Sequence, residues 1–496
     1  MAFAAPGTRR ARGPQRLDVR SGAAGTLGRR RRSMDPMPAT PARPSRLPSR
    51  LTIWLDRWGG VAPLLAAEFV VWLGFGGLLP VLPLYFTEQG IDFATLGLVI
   101  AAWPAARLIS EPIFGWLADR TERVPLMVIG LVASGVFGAL PLVLTGPTAF
   151  ILLRAGAGLG AAIYDPAARG FLTDATPPDR RGEAFGLYGA AQMGGLLLGP
   201  TIGAFGAAQF GGIAFVFVFS AIAAIVAAVG IALRVREEGY ERRAHSTPSP
   251  DRTTLPPDSP FLEGRLAADR AAESAAPAGD VVDAGRDTGA RSVGSTRTMR
   301  LLNRGLIAAL VINFGGYYSG GTYEVIWSLF LEGLGADLPL IGLTFAMFGL
   351  PILVLSPFAG RLVDRRGSLA FIVLGSILPV VTGILYTFLS DPFLAVPLIL
   401  VEATGFAFLN PALYAVVAAS SPPGRSSTTQ GLFGAAGTLG FIAASLAAGV
   451  LAERSILYPF YVFSAILTIS LVVGLAIGGQ RLTGRPLTSG APASSV

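Results

Sequence analysis

Apolar residues in this chain come in long runs, not at the three-to-four-residue spacing of a helix with one wet face. The runs lie at about 61–86, 93–115, 126–145, 149–172, 184–207 and 213–234, and resume at 304–331, 338–360, 369–389, 394–419, 428–451 and 456–480. Each supplies roughly the 20 residues a helix needs to cross the hydrocarbon core of a bilayer. The pattern predicts an all-α integral membrane protein with 12 transmembrane helices in two sets of six. Residues 235–303, rich in Arg, Asp, Glu, Ser and Pro, hold no sustained apolar period and predict a disordered linker between the sets. Residues 1–60 and 481–496 read as tails. The first carries twelve arginines before position 53 against only Asp18 and Asp35, too little apolar surface to fold. No apolar segment follows Arg29–Arg32 closely enough for a signal peptide. This tail is expected to be disordered and able to touch anionic lipid, or else to precede a true start at Met34 or Met37.

Composition sharpens this picture. Hydrophobic residues make up 52% of the chain and charged ones 14%, where a soluble domain carries about a quarter. The 63 glycines and 37 prolines fit membrane helices, which tolerate both. Cysteine is absent, which excludes disulfides, thiolate metal sites and a cysteine nucleophile. The single histidine, His245, lies in the polar linker, so a histidine-based catalytic or metal site is excluded too. Lysine is also absent, and all 39 basic residues are arginine. No Gly-x-x-x-x-Gly-Lys-Ser/Thr loop occurs, and nothing supports an enzyme, a cofactor or nucleic-acid binding.

Arginine bias in the short loops sets the orientation. Arg120 and Arg123, Arg180 and Arg181, Arg361, Arg365 and Arg366, and Arg425 mark alternate connections. The intervening ones carry Glu88, Asp92, Glu332, Asp337 and Asp391, with Arg454 as their only base. Both termini and the linker are therefore expected in the cytoplasm, and an even number of spans requires the termini to share a side.

The two sets are copies. At an offset of 245 residues Pro112 falls on Pro357, Gly115 on Gly360, Asp119 on Asp364, Arg120 on Arg365, Gly160 on Gly405 and Pro166 on Pro411. Pro177-Pro178 then meets Pro422-Pro423, Arg180 meets Arg425, and Asp165 meets Asn410. Chance matches of glycine and proline would not bring the Asp-Arg pair with them. Tandem halves of this kind are typical of transporters with a central site at their interface.

Three motifs carry a resemblance. Gly115-x-x-x-Asp119-Arg120-x-x-Arg123, repeated as Gly360-x-x-x-Asp364-Arg365, resembles the signature loop of the major facilitator superfamily. Arg154-Ala-Gly-Ala-Gly158 in the fourth run is similar to the family's helix 4 motif, with Ala157 where the family has Gln. Gly195-x-x-x-Gly199-Pro200-x-x-Gly203 in the fifth is similar to its antiporter motif, and has no copy at Ala444-Ser445. The resemblance implies the major facilitator fold, two pseudo-symmetric six-helix halves, and points to the drug:proton antiporter group. It also implies a cytoplasmic latch in which Gly115 permits close helix approach and Asp119 faces a helix N-terminus. Glu122 stands where the family usually has Gly.

Ionisable groups inside spans are functional candidates, since burying them in hydrocarbon is costly. These are Glu68, Arg154, Asp165, Glu324 and Glu402, joined by Asn313 and Asn410. Glu68 ranks first as a proton- or cation-binding acid and Glu324 next, because the resemblance puts the first and seventh helices at the central cavity. Arg154 could instead snorkel to the outer surface. Asp165 could simply anchor the end of its helix, and Arg107 and Glu111, four apart, are expected to pair. Trp72, Phe75, Tyr317, Tyr318, Tyr323, Trp327 and Tyr414 offer an aromatic lining or interface anchors. The expectation is a monomeric, multi-pass inner-membrane exporter that exchanges protons for a small amphipathic or cationic molecule. The alternatives are uptake or facilitated diffusion of a sugar or other metabolite, and a transporter-like sensor without flux.

Overall fold

The structure, a computed structural model, describes residues 57–177, 180–235, 301–422 and 425–483. The first 56 residues, nearly all of the linker with His245, and the tail after 483 lie outside the described residues. The six spans of the first half are α1 (Ala62–Leu78 with Leu82–Glu88), α2 (Phe93–Ala118), α3 (Arg123–Ala139), α4 (Pro147–Ala175), α5 (Arg181–Phe210) and α6 (Ile213–Arg234). Those of the second are α7 (Arg304–Gly333), α8 (Leu338–Arg366), α9 (Leu369–Tyr386), α10 (Ala395–Ser420), α11 (Ser426–Ala452) and α12 (Tyr458–Gly478).

Two features depart from the simple reading of the apolar runs. The first run is bent by 42° between its two pieces. Pro80 and Pro83 explain the break, since each lacks the N–H that would bond one turn back, and Pro83 opens the second piece. Among the described residues nine helices are long and apolar enough to cross a membrane, and bent α1 makes a tenth. The two that fall short, α5 and α7, carry polar groups such as Gln192, Asn313 and Glu324. In each qualifying helix at most half of the most apolar window is buried in protein. The rest presents residues such as Ile109, Phe358 and Leu233, exposed by 70%, 62% and 72%. Apolar surface of this extent requires lipid around it.

The repeat extends to details of packing. Asp92 and Asp337, 245 apart, cap α2 and α8: their side chains accept from Thr95 N at 2.7 Å and Leu340 N at 3.0 Å. These bonds hold the Asp92 carboxyl below the usual range. Within the halves, glycines let helices meet backbone to backbone. A Cβ at Gly130 would lie 2.7 Å from the Gly160 carbonyl oxygen, and one at Gly375 would lie 2.7 Å from that of Gly405. Likewise Gly195 rests on the Phe69 carbonyl and Gly440 on that of Phe314, tying α5 to α1 and α11 to α7.

The seam between the halves follows the same symmetry at one end only. Gly97 of α2 abuts the Ser445 carbonyl and Gly449 of α11, while Gly342 of α8 abuts the Pro200 carbonyl and Ala204 of α5. Glu453 Oε1 also accepts from Ala94 N across the seam, at 3.1 Å. At the far end of these four helices the glycines have room. Gly115 meets only Pro166 of its own half, at 3.8 Å, and Gly186, Gly360 and Gly431 have no described neighbour within 4 Å of an added Cβ. The halves therefore touch at one end and diverge at the end carrying the Gly115 and Gly360 loops, here called the latch end.

Candidate functional site

A cavity of about 310 Å³ lies between the halves. Met193 and Leu197 of α5 face it from one side; Tyr323, Glu324 and Trp327 of α7 and Glu402 of α10 face it from the other. Its wall is mostly apolar, with two acids set into it. α7 and α10 supply them because each carries one carboxylate in an otherwise apolar stretch, and burial of the flanking apolar face turns that carboxylate inward.

The two acids differ in how they are held. Glu324 Oε1 accepts from Arg154 Nη2 of α4 at 3.0 Å, an ion pair joining the halves. Arg154 is only 6% exposed, so it does not snorkel to the surface as its position near a helix end allowed. The pair lies closer to the closed seam than to the latch end, since Arg154 is in the second turn of α4. Glu402 is 1% exposed; its Oε2 accepts from the Tyr386 hydroxyl at 2.8 Å, and the Tyr323 hydroxyl, on the same cavity, is a second donor beside the carboxylate.

Glu68 sits elsewhere. It is fully buried inside the first half, where Oε1 accepts from Trp72 Nε1 at 2.9 Å and Gln192 Nε2 at 2.5 Å, and Oε2 from the Tyr164 hydroxyl at 2.5 Å. These donors come from α1, α4 and α5, so the carboxylate pins three helices together. The Arg107–Glu111 pair is present, with Nε to Oε1 at 2.9 Å, but it is part of a larger group. Arg107 also bonds Asp165, which lies 3.7 Å from Arg169. Asp165 thus holds α2 to α4 as the partner of two arginines, and does more than anchor the end of its helix.

Asn313 is buried and donates to the Phe433 carbonyl at 2.8 Å, tying α7 to α11, whereas Asn410 faces the central cavity. Of the expected aromatic lining, Tyr323 and Trp327 reach the central cavity, and Trp72 and Phe75 face a smaller one inside the first half. Tyr317 and Tyr414 are about half exposed.

At the latch end, Arg123 is buried, with Nη1 2.8 Å from Asp174 and Nη2 3.7 Å from Asp119. All three belong to the first half and gather the ends of α2 and α4 onto the start of α3. The Asp119 side chain is 75% exposed, and the Arg120 guanidinium stacks 4.1 Å over Trp116. The close approach expected at Gly115 is not made in this conformation, because the helices diverge there. In the Gly195–Gly203 motif, Gly199 and Gly203 pack on α1 against Leu73 and Gly77, and Pro200 presents its carbonyl to Gly342 at the seam.

The sequence reading did not single out Gln192, Tyr164, Tyr386 or Asp174. Gln192 left a signal, as an uncharged amide deep in an apolar run; the tyrosines, which suit cores and interfaces alike, left none.

Residues 64–327 and 306–493 both match the Major Facilitator Superfamily, one match over each half. The chain belongs to this family. It is a transporter of that superfamily and not an enzyme. Among the described residues there is no cluster of His, Cys, Asp and Glu that could hold a metal. In sequence it is similar to the quinolone resistance protein NorA of Staphylococcus aureus (strain MRSA252), 32% identical over 134 residues. It is also similar to multidrug resistance protein 2 of Bacillus subtilis (strain 168), 28% identical over 180 residues. These matches cover 27% and 36% of this chain, and 34% and 45% of those relatives' own lengths. In fold it is similar to a peptide transporter POT, with a TM-score of 0.64 at 16% identity, over 86% of this chain and 95% of that one. A D-xylose–proton symporter superposes with a TM-score of 0.61 at 16% identity, covering 86% and 99%. An inward-facing bacterial homologue of the lysosomal transporter Spinster gives 0.59 at 16%, covering 86% and 97%.

Proposed function

We propose that this transporter is a proton-coupled exporter of small amphipathic or cationic compounds, working by alternating access in the plasma membrane. Its two halves, 61–234 and 304–480, rock about the central cavity, with both termini and the latch end in the cytoplasm. The chain works as a monomer in the bilayer. The observation that carries this reading is the central cavity itself. At about 310 Å³ it reaches the size of small-molecule pockets, roughly 300–1,000 Å³, and sets Glu324 and Glu402 among aromatic and aliphatic walls. Such a wall takes an apolar body, and the acids take a positive charge or a proton. Similarity to two drug-resistance proteins favours efflux over uptake.

The geometry distributes roles. Glu324, bound to Arg154 across the halves, is the coupling acid: once protonated, it loses its attraction for the arginine and frees the closed end to part. Glu402, held by fewer donors than Glu68 and set in the wall of the shared cavity, is the substrate-facing acid. Glu68 organises the first half. In this conformation the cavity opens toward the latch end, ready to load from the cytoplasm.

Everted membrane vesicles bathed in a panel of lipophilic cations and neutral amphiphiles test the reading. A pH gradient should drive accumulation in the vesicles, and intact cells expressing the chain should retain less compound. Accumulation in intact cells instead would establish uptake. No flux of any compound, with wild-type levels of folded protein, would leave a sensor.

A further inference from the structure

The molecule has a second, smaller cavity, of about 100 Å³, lined only by residues of the first half. Trp72 of α1, Trp103 of α2, Ser134 of α3, Asp165 of α4 and Phe217 of α6 all face it. It is well below the roughly 300 Å³ at which small-molecule pockets begin, so it is not a second substrate site. A water needs only about 10–15 Å³ of accessible space and two to four polar partners, whereas cavities that stay dry are apolar.

This cavity supplies the partners. Asp165 and Tyr164 line it, as does Ser134, whose hydroxyl donates to the Ala157 carbonyl at 3.3 Å and keeps its acceptor capacity. Arg154 lines it too. Arg154 Nη2 reaches out of the first half to Glu324, while its Nε, buried, has no partner among the described residues. A buried N–H on a charged group rarely goes unmatched, so this guanidinium has hydrogen-bonding capacity beyond its one carboxylate, and the residue stands in the chamber wall. Arg154 therefore stands in the wall between two spaces, with its ion-pair partner on one and a polar chamber on the other.

We propose that this cavity is a water chamber that hydrates Arg154 from within the first half and keeps its charge solvated when the arginine parts from Glu324. The hydration stands on the cavity alone, and its use during the cycle rests on the alternating-access reading above. Without such a chamber, opening the pair would strand a guanidinium in a low-dielectric interior. With it, Arg154 needs only to change from one carboxylate to a cluster of waters held by Ser134, Tyr164 and Asp165.

Hydroxyl-radical footprinting by radiolysis of water, on the full-length protein in lipid nanodiscs, tests this directly, because radicals formed from bound water modify side chains beside it. Tyr164 and Phe217 line the chamber, and Phe150 and Tyr386 line neither cavity, yet all four are at most 2% exposed. Tyr164 and Phe217 should be modified several-fold faster than Phe150 and Tyr386. Ala161→Leu, which fills the chamber, should remove that excess while Trp327 in the central cavity reacts as before. Equal protection of all four side chains in the wild-type protein would overturn the chamber, and that comparison decides even if Ala161→Leu fails to fold. The measurement needs no transport. A labelled chamber in a protein that exports nothing would keep this inference and sink the exporter reading, and the reverse result would do the opposite.

Discussion

Glu68 and Glu402 are both buried acids in the middle of spans, one in each half, and their surroundings are opposite. Glu68 has three donors on its two oxygens, from side chains on three helices of one half. Glu402 is bonded by the Tyr386 hydroxyl, with the Tyr323 hydroxyl beside it, in the wall of the cavity that both halves share. A carboxylate already saturated with hydrogen bonds is fastened, and a ligand would have to displace those donors first. A carboxylate with spare capacity on a shared cavity is available. Burial alone therefore does not mark a working acid; spare acceptor capacity beside an empty volume does.

The largest effect should come from the acid that belongs to both worlds. Glu324→Ala leaves Arg154 with chamber waters in place of a carboxylate and should cost about 3–4 kcal/mol of stability, the lower part of the range for breaking a buried pair, read by thermal unfolding of the purified protein. Adding Arg154→Met should restore most of it, as replacing both members of a buried pair commonly does. If the double variant is no better than the single one, the pair is not what joins these helices.

Glu68→Ala should follow, at about 3 kcal/mol, since it orphans three buried donors at roughly 1 kcal/mol or more each. Glu68→Gln retains an acceptor for Trp72 and Gln192 and should stay within about 1 kcal/mol of wild type, with pH-driven flux intact. Loss of coupling in Glu68→Gln would reverse the contrast and return Glu68 to the first rank it held in the sequence.

Glu402→Gln should do the converse. Tyr386 can still donate to the amide oxygen, so stability should barely change. Affinity for a cationic substrate should fall about tenfold to a hundredfold, the equivalent of one charged hydrogen bond of 1.5–3 kcal/mol. Equilibrium binding to the purified variant measures this, and an unchanged affinity would remove Glu402 from the substrate site.

The smallest effect concerns the paired caps. Asp92→Ala and Asp337→Ala should each cost about 1 kcal/mol, because each removes the acceptor for a free N–H at a helix start. Asp92 has its carboxyl held below the ordinary range, so its contribution is complete above the unfolded-state value and is lost as pH falls through the lower folded one. The Tm gap between wild type and Asp92→Ala should therefore shrink in acid.

Much of the architecture was legible in the chain because it is a local property. Lengths of apolar runs predict spans, and a fixed offset reveals the repeat. The offset in fact reaches further than the motifs suggested, to the caps Asp92 and Asp337 and to the seam glycines Gly97 and Gly342. The site was legible in its membership only. Composition can mark Arg154, Glu324 and Glu402 as charges in apolar runs, but which helix faces meet across 170 positions is decided by packing. That is why Arg154 could be read as snorkelling and Asp165 as a mere anchor. The Gly115 and Gly360 loops were legible as a motif, whereas the gap between the helices that carry them is a property of one conformation, which a sequence shared by every conformation cannot express.

The seam at the closed end has a mechanical consequence. Where α2 meets α11 and α8 meets α5 it sets glycines against carbonyl oxygens, with Gly97 and Gly342 as mirrored contacts, so at those two points there are no interlocking side chains to unpick. Like smooth plates, these contacts can part and reseat with little rearrangement, whereas the Glu453 bond to Ala94 must break. The Arg154–Glu324 pair adds a directional strut between the same halves. On the coupling role proposed for Glu324, one proton there removes that strut and leaves the smooth contacts to hold the closed end.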